Sequence, residues 1–324
     1  MMTRKFNQTI VCILFGCLFL STNVFAQNEL VTGYYDEQND WFVFEWTDSE
    51  LGKMSTIFDK ENKVKPILNA IIEFDESKKT YTYNYELSNQ EGAVQLLYSM
   101  VIDYFMPIYD VKMPSKAWYS DMYRNPPRFD DRGEWSWSKT NDEPFGIPAG
   151  ETESGFSFNS KGLPGIVVVA FVGERRARFS GGGLSWEQEE SFEKVFVALK
   201  EKYKDKLKTK TAKTIGPGKL PEKFNATDFI DHLIDLKHQA QELGWIKAEG
   251  GDGIIQALDQ KLNNAKAAIA RGNTRSATKI LKAFIKQVEA QSCKTHDDCK
   301  KGKHLSPEAY ALLKYNAEYL LENL

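Results

Sequence analysis

Tyr81-Thr82-Tyr83-Asn84-Tyr85-Glu86-Leu87 sets three tyrosines and a leucine against polar residues at strict period two. Successive side chains of an extended chain point to opposite faces, so this spacing predicts a strand with Tyr81, Tyr83, Tyr85 and Leu87 on one sheet face. Working outward, Ile67 to Phe74 precedes it across Asp75-Glu76-Ser77-Lys78-Lys79, a charged turn of hairpin length. Ala93 to Phe105 is a further apolar stretch after Asn89-Gln90-Glu91-Gly92. Trp41-Phe42-Val43-Phe44-Glu45-Trp46 reads as a strand, as do Ser154 to Phe158 and Ile166 to Val172 around Gly162-Leu163-Pro164-Gly165. No βαβ alternation accompanies these strands. An antiparallel β-sandwich of the immunoglobulin-like kind over residues 27–183 is therefore favoured over a parallel sheet.

The texture then changes. Phe192, Val195, Phe196, Leu199, Tyr203 and Leu207 recur at helical spacing, which predicts a connecting helix over about 187–207. The lysines at 200, 202, 204, 206, 208 and 210 surround it as a solvated comb, diluted by Glu201 and Asp205 and without interleaved aromatic platforms. Thr209 to Glu222, with Gly216-Pro217-Gly218 and Pro221, reads as an interdomain linker, so residues 184–223 join two domains.

Residues 224–324 resolve into a small helical bundle. Helix one carries Phe229, Leu233, Leu236, Ala240 and Leu243 and stops at Gly244; helix two carries Ile254, Leu258, Leu262, Ala265 and Ile269 and stops at Gly272. Helix three follows the N-cap pair Asn273-Thr274 and aligns Ala277, Leu281, Phe284 and Val288. Helix four starts at Ser306-Pro307-Glu308, with a capping hydroxyl, proline at the first helical position and an acid where the helix dipole favours it. Short connections between such stripes make a bundle.

Within that module, Leu258-Asp259-Gln260-Lys261-Leu262-Asn263-Asn264-Ala265, the turn Arg271-Gly272-Asn273-Thr274 and the helix from Leu281 to Gln291 resemble the FIMAH domain. The resemblance covers roughly the last third of the chain, and the cysteine loop after Ser292 is an embellishment on the pattern. It implies a helical module appended to secreted bacterial proteins, with an accessory or interaction role and no catalytic residues. Ile147-Pro148-Ala149-Gly150 and Ser154-Gly155-Phe156-Ser157-Phe158, leading to Leu163-Pro164-Gly165, resemble the β-rich half of uncharacterised secreted bacterial proteins, from which no activity transfers.

Arg4-Lys5, the apolar run Ile10 to Leu20 and Val24-Phe25-Ala26 have the layout of a signal peptide over residues 1–26. The run is short for a membrane span, and cleavage after Ala26 would leave no transmembrane anchor. An uncleaved anchor and a lipoprotein are the alternatives; Leu14-Phe15-Gly16-Cys17 approaches a lipobox, but Phe15 is bulky where a small residue is usual. Cleavage removes Cys12 and Cys17 and leaves Cys293 and Cys299, a spacing that suits a disulfide staple in an oxidising compartment. Secretion, to the cell surface, periplasm or medium, is the expected localisation. A net charge of −3 with 27% charged residues gives no sign of a nucleic-acid partner.

The richest stretch for recognition is Pro114 to Gly146, read as a long loop holding Trp118, Tyr119, Tyr123, Trp135, Trp137, Arg124, Arg128, Asp130, Asp131 and Glu134. Trp118, Tyr119, Trp135 and Trp137 are candidate ligand-binding residues, because flat aromatics suit a sugar face or an apolar peptide side chain. Trp135 and Trp137 share a side if the segment is extended. The competing reading places these tryptophans in the sandwich core. Asp130, Asp131 and Glu134 supply the residue types of a paired-carboxylate hydrolase. HExxH, P-loop and GxSxG patterns are missing from the sequence, and its four histidines, at 232, 238, 296 and 304, all lie in the helical module. His232 and His238 are six apart and face different sides of their helix, so no metal pair and no cofactor is expected. The sequence thus favours a non-catalytic secreted protein whose sandwich binds a glycan, peptide or cell-envelope component beside a helical interaction module. A secreted hydrolase acting on polysaccharide is the alternative.

Overall fold

The computed structural model describes residues 30–123, 132–139, 144–174, 177–179, 184–247, 253–296, 298–299 and 303–324. The proposed signal segment, the two leader cysteines, Asp130 and Asp131 fall outside these. The described residues open with strands β1 (Val31–Asp36), β2 (Trp41–Asp48) and β3 (Gly52–Asp59). It continues with β4 (Pro66–Asp75), β5 (Thr80–Asn89), β6 (Leu97–Tyr104), β7 (Ile108–Lys112) and β8 (Trp118–Tyr123). Next come β9 (Gly133–Lys139), β10 (Glu151–Ser160), β11 (Pro164–Gly173) and β12 (Ala177–Phe179). Helix α1 (Trp186–Lys202) and strand β13 (Lys210–Pro217) lead to helices α2 (Ala226–Glu242), α3 (Gly253–Ala270), α4 (Thr274–Gln291) and α5 (Pro307–Glu322).

The chain divides into two compact units whose boundaries differ from those expected: residues 1–62 with 174–208, and residues 63–173 with 209–324. In the first unit an antiparallel sheet of order β1-β2-β3-β12 carries α1 on one face. Alternation in β2 sends Phe42, Phe44 and Trp46 to that face, where Val195 and Leu199 of α1 meet them. Phe44 lies 4.5 Å from Phe192 and 5.5 Å from Phe58, ring centre to ring centre. Gly33 permits this approach, since a Cβ there would stand 2.7 Å from Cγ1 of Val195. A capping box at Ser185 and Gln188 starts α1, which therefore belongs to a core of its own and is not a connector.

The second unit is a two-layer antiparallel sandwich with the helical bundle against it. One sheet runs β4-β5-β10-β7 and the other β13-β11-β6-β9-β8. The predicted tyrosine face points inward: Tyr83, Tyr85 and Leu87 are fully buried, and the hydroxyls of Tyr83 and Tyr85 donate across the core to the carbonyls of Gly162 and Ile215, both at 2.8 Å. The expected linker is instead an edge strand of the second sheet. Residues 210–217 form β13, paired with β11 from Lys210 opposite Phe171 to Pro217 opposite Pro164. Its polar, lysine-bearing first half is exposed, as edge strands commonly are, and that polarity disguised it in the sequence. The expected long loop at 114–146 likewise contains β8 and β9, whose aromatic and polar residues alternate at strand period.

The four expected helices are present with their caps. Asn225, Asn273 and Ser306 accept from backbone N–H groups of the first turns of α2, α4 and α5, and Gly272 takes the left-handed conformation (φ 69°) after α3. Helix α5 is buried over most of its circumference, through Ala309, Ala311, Leu312, Leu313, Ala317 and Leu320 among others, and keeps a partly exposed stripe at Tyr310, Lys314 and Glu318. A helix with so wide an apolar face must be largely enclosed, and each fully buried leucine contributes roughly 1.5–3 kcal/mol. One side of α5 meets α2 and α4 and the other meets β4, β11 and β13. Side chains of α5 satisfy the open edge of β4: Glu308 Oε1 accepts the Ala70 N–H at 3.0 Å, and the Tyr315 hydroxyl donates to the Ile72 carbonyl at 3.3 Å. Asn316 Nδ2 donates to the Pro164 carbonyl at 2.8 Å. The helical module and the sandwich therefore share one core instead of forming separate domains.

Candidate functional site

The four aromatics nominated by the sequence part company. Trp135 and Trp137 do share a side of β9, but that side faces the sandwich interior. Trp137 is fully buried, stacks on Phe158 at 5.9 Å with an interplanar angle of 10°, and donates its indole N–H to the Lys112 carbonyl at 3.1 Å. Trp118 is 1% exposed, meets Phe156 edge-on at 4.7 Å and donates to Glu153 Oε2 at 2.6 Å. Glu153 also pairs with Lys139, so the polar edge of this indole is satisfied within the protein. Trp135 is partly buried against the same core. These three tryptophans pack the core and form no exposed aromatic platform, because sheet closure turns the inward face of β8 and β9 onto β10.

Tyr119, on the opposite face of β8, is 41% exposed. Its hydroxyl meets that of Tyr98, whose pKa is pushed up to about 12 by burial first and by this contact second. Tyr119 stands on the edge strand of its sheet, and β7 is the edge of the other sheet. Tyr109 and Met113, at and just after β7, are exposed, as are Tyr119 and Met122 on β8. The bundle closes the sandwich at β4 and β13, the other ends of the two sheets. Among the described residues neither β7 nor β8 pairs with a further strand on its outer side, and this side carries large, partly apolar side chains.

Among the nominated carboxylates, Glu134 lies directly opposite Asp103 of β6 on one sheet face. Arg132 Nη1 donates to Asp103 Oδ2 at 2.7 Å. Asp103 was hidden in the sequence inside the apolar run from 93 to 105, where an isolated acid is the one available signal. Among the described residues no group of three or more His, Cys, Asp and Glu side chains is arranged to hold a metal ion.

The cysteine staple is formed between Cys293 and Cys299, with Cα atoms 5.0 Å apart. Its loop carries His296, whose Nε2 is 2.9 Å from the buried Glu308. Burial pushes His232 down, and His238 approaches Asp259 at 3.5 Å beside the fully buried Lys237, which pairs with the same carboxylate at 2.7 Å.

An antiparallel sandwich fused to a capped helical bundle defines the class, and the bundle is the recognisable part: residues 230–322 match the FIMAH domain family. No curated protein matches the chain. An uncharacterised protein from Nocardia farcinica, whose structure is described as revealing an immunoglobulin-like fold, is 11% identical over 39% of this chain and 91% of its own, with a TM-score of 0.24. No helix among the described residues is long and apolar enough to cross a membrane.

Proposed function

We propose that the chain is a non-catalytic binding protein acting outside the cytoplasm, in which the β7–β8 side of the sandwich recognises a glycan, peptide or cell-envelope component. The observation that carries this reading is the exposure of Tyr119 and Met122 on an edge strand at the end of the sandwich away from β4, where the bundle packs. Edge backbone supplies hydrogen bonds to an extended ligand, and the alternating side chains supply selectivity. The disulfide and the signal-like first 26 residues support an extracellular setting. The FIMAH bundle serves as the interaction module, fixed to the sandwich by α5.

A second reading, a hydrolase acting on polysaccharide, draws on the Asp103 and Glu134 pair. Directly opposed residues have Cβ atoms about 4.5–5.5 Å apart, compatible with the short carboxyl separation of retaining glycosidases. Against it, Arg132 holds Asp103 in an ion pair, while one member of such a pair must act as a proton donor.

Arrays of glycans and peptides probed with protein starting at Gln27 test both readings. Tyr119→Ala and Met122→Ala should each weaken binding roughly tenfold or more without lowering the melting temperature. Time-dependent release of reducing sugar, abolished by Glu134→Gln, would establish the hydrolase instead.

A further inference from the structure

On α4, Arg275, Lys279, Lys282 and Lys286 are all exposed and follow one another by four, three and four residues. At 100° per residue this places them in a single row spanning about 16 Å of helix, opposite the buried Ala277, Leu281, Phe284 and Val288. Like charges at these spacings destabilise an isolated helix, so the row lowers the stability of the element that carries it. Among the described residues none of the four cations has a carboxylate partner within ion-pair distance. The row ends at Glu289, whose carboxylate is taken by Lys314 at 3.2 Å.

The lysine comb after α1 provides the contrast. Lys204 pairs with Glu201 at 3.1 Å, Lys206 with Glu37 at 3.6 Å and Lys208 with Asp205 at 2.7 Å. Lys200 and Lys202 lie over the rings of Phe196 and Tyr203. In the comb, the more conspicuous run in the sequence, three of six lysines are in ion pairs and two lie over aromatic rings, whereas the row on α4 has no acidic partner among the described residues. From this we infer that the α4 row of the FIMAH bundle is an electrostatic docking surface for a linear acidic polysaccharide, one carrying a carboxylate on successive sugar units.

Two features select that occupant. No large hydrophobic side chain of α2 to α5 is exposed, so the surface offers neither rings for stacking nucleobases nor apolar groups for entering a bilayer. Three of the four cations are lysines, compact point charges suited to a polymer of regularly spaced anions more than to a single planar group gripped by a fork. The inference deepens the reading of the chain as an extracellular binding protein by naming an acidic glycan as the partner of the bundle.

The probe is polygalacturonate, immobilised and offered to the full chain at low ionic strength beside neutral dextran and duplex DNA. The wild type should bind polygalacturonate, with affinity falling log-linearly as salt rises, by a slope set by at most about four contacts. Replacing Arg275, Lys279, Lys282 and Lys286 together by Gln should weaken binding at least tenfold while preserving or slightly raising the melting temperature, since Gln is a good helix former and the repulsion is removed. Replacing Lys200, Lys204 and Lys208 by Gln should leave binding unchanged. Equal binding by the α4 variant, no binding by the wild type, or tighter binding to DNA than to polygalacturonate overturns the inference. Loss of Tyr119-dependent binding with α4-dependent binding intact overturns only the β8-edge reading, and the converse overturns only this one.

Discussion

His296 Nε2 stands 2.9 Å from Glu308 Oε1, joining the disulfide loop to the first turn of α5. The same carboxylate accepts the Ala70 N–H of β4 at 3.0 Å and the Ser306 hydroxyl at 2.6 Å. One buried acid thus links the sandwich edge, the helix cap and the cysteine loop.

That linkage makes stability depend on pH in a defined direction. Burial alone would push His296 down, but the Glu308 carboxylate, with Glu86 further off, outweighs it and raises the pKa above the ordinary 6.5. The stabilisation from His296 is complete below 6.5 and disappears as pH rises through the raised value. Burial would push Glu308 up, yet His296, Ser306 and the Ala70 N–H bring it below 4.5, so its contribution is complete above 4.5 and lost as pH falls through the lowered value. Urea melts from mildly acidic to mildly alkaline pH should show the wild type losing stability on the alkaline side. His296→Gln should lack that loss, and identical profiles for the two proteins would refute the assignment.

Glu308→Ala should be more damaging than His296→Gln. It strands the Ala70 N–H and removes the partner of a charged imidazole; the cost should be about 2–3 kcal/mol, less than the ~3–5 kcal/mol of a fully buried pair because the imidazole keeps some solvent contact. Replacing Cys293 and Cys299 by Ser should cost about 2 kcal/mol, as expected for so short a loop. Thermal melts of the two variants and their combination should show less than additive losses, since both act on the same docking contact.

For the aromatics, Trp137→Ala and Trp118→Ala should each destabilise by roughly 3–5 kcal/mol by opening a cavity in the core. Tyr119→Ala should change stability by less than about 0.5 kcal/mol. Acrylamide should quench the fluorescence of Trp186, which is 80% exposed, and leave Trp118 and Trp137 shielded. A Trp137→Ala protein with wild-type melting temperature would return the tryptophans to the surface.

Excision provides a fourth test. Residues 224–324 expressed alone would uncover the α5 side that meets β4 and β11, including Tyr315 and Asn316. The fragment should self-associate or melt well below the full chain, as followed by size-exclusion chromatography and circular dichroism. Trypsin should spare Lys213, whose backbone is paired in β13, under conditions that cut the exposed Lys223. A stable monomeric fragment would show the bundle to be independent after all.

What the sequence by itself determined was local: the alternation of Tyr81 to Leu87, the caps at Asn273 and Ser306, the stop at Gly272 and the apolar stripes of α2 to α4, because period and capping are set by neighbours a few residues apart. Alternation also placed Trp135 and Trp137 on a common side. Which side faced the core was decided only when β9 paired with β6 and Phe158 closed over the indole, since the same alternating pattern serves either orientation. Partnership across long separations was decided only in three dimensions too: β13 is too polar to announce itself until β11 pairs with it, α1 seals a sheet more than a hundred residues upstream, and Ala70 finds its acceptor 238 residues away at Glu308. Such contacts depend on which unsatisfied edges and apolar faces remain after local structure forms, and no short window of sequence contains both halves of the pair.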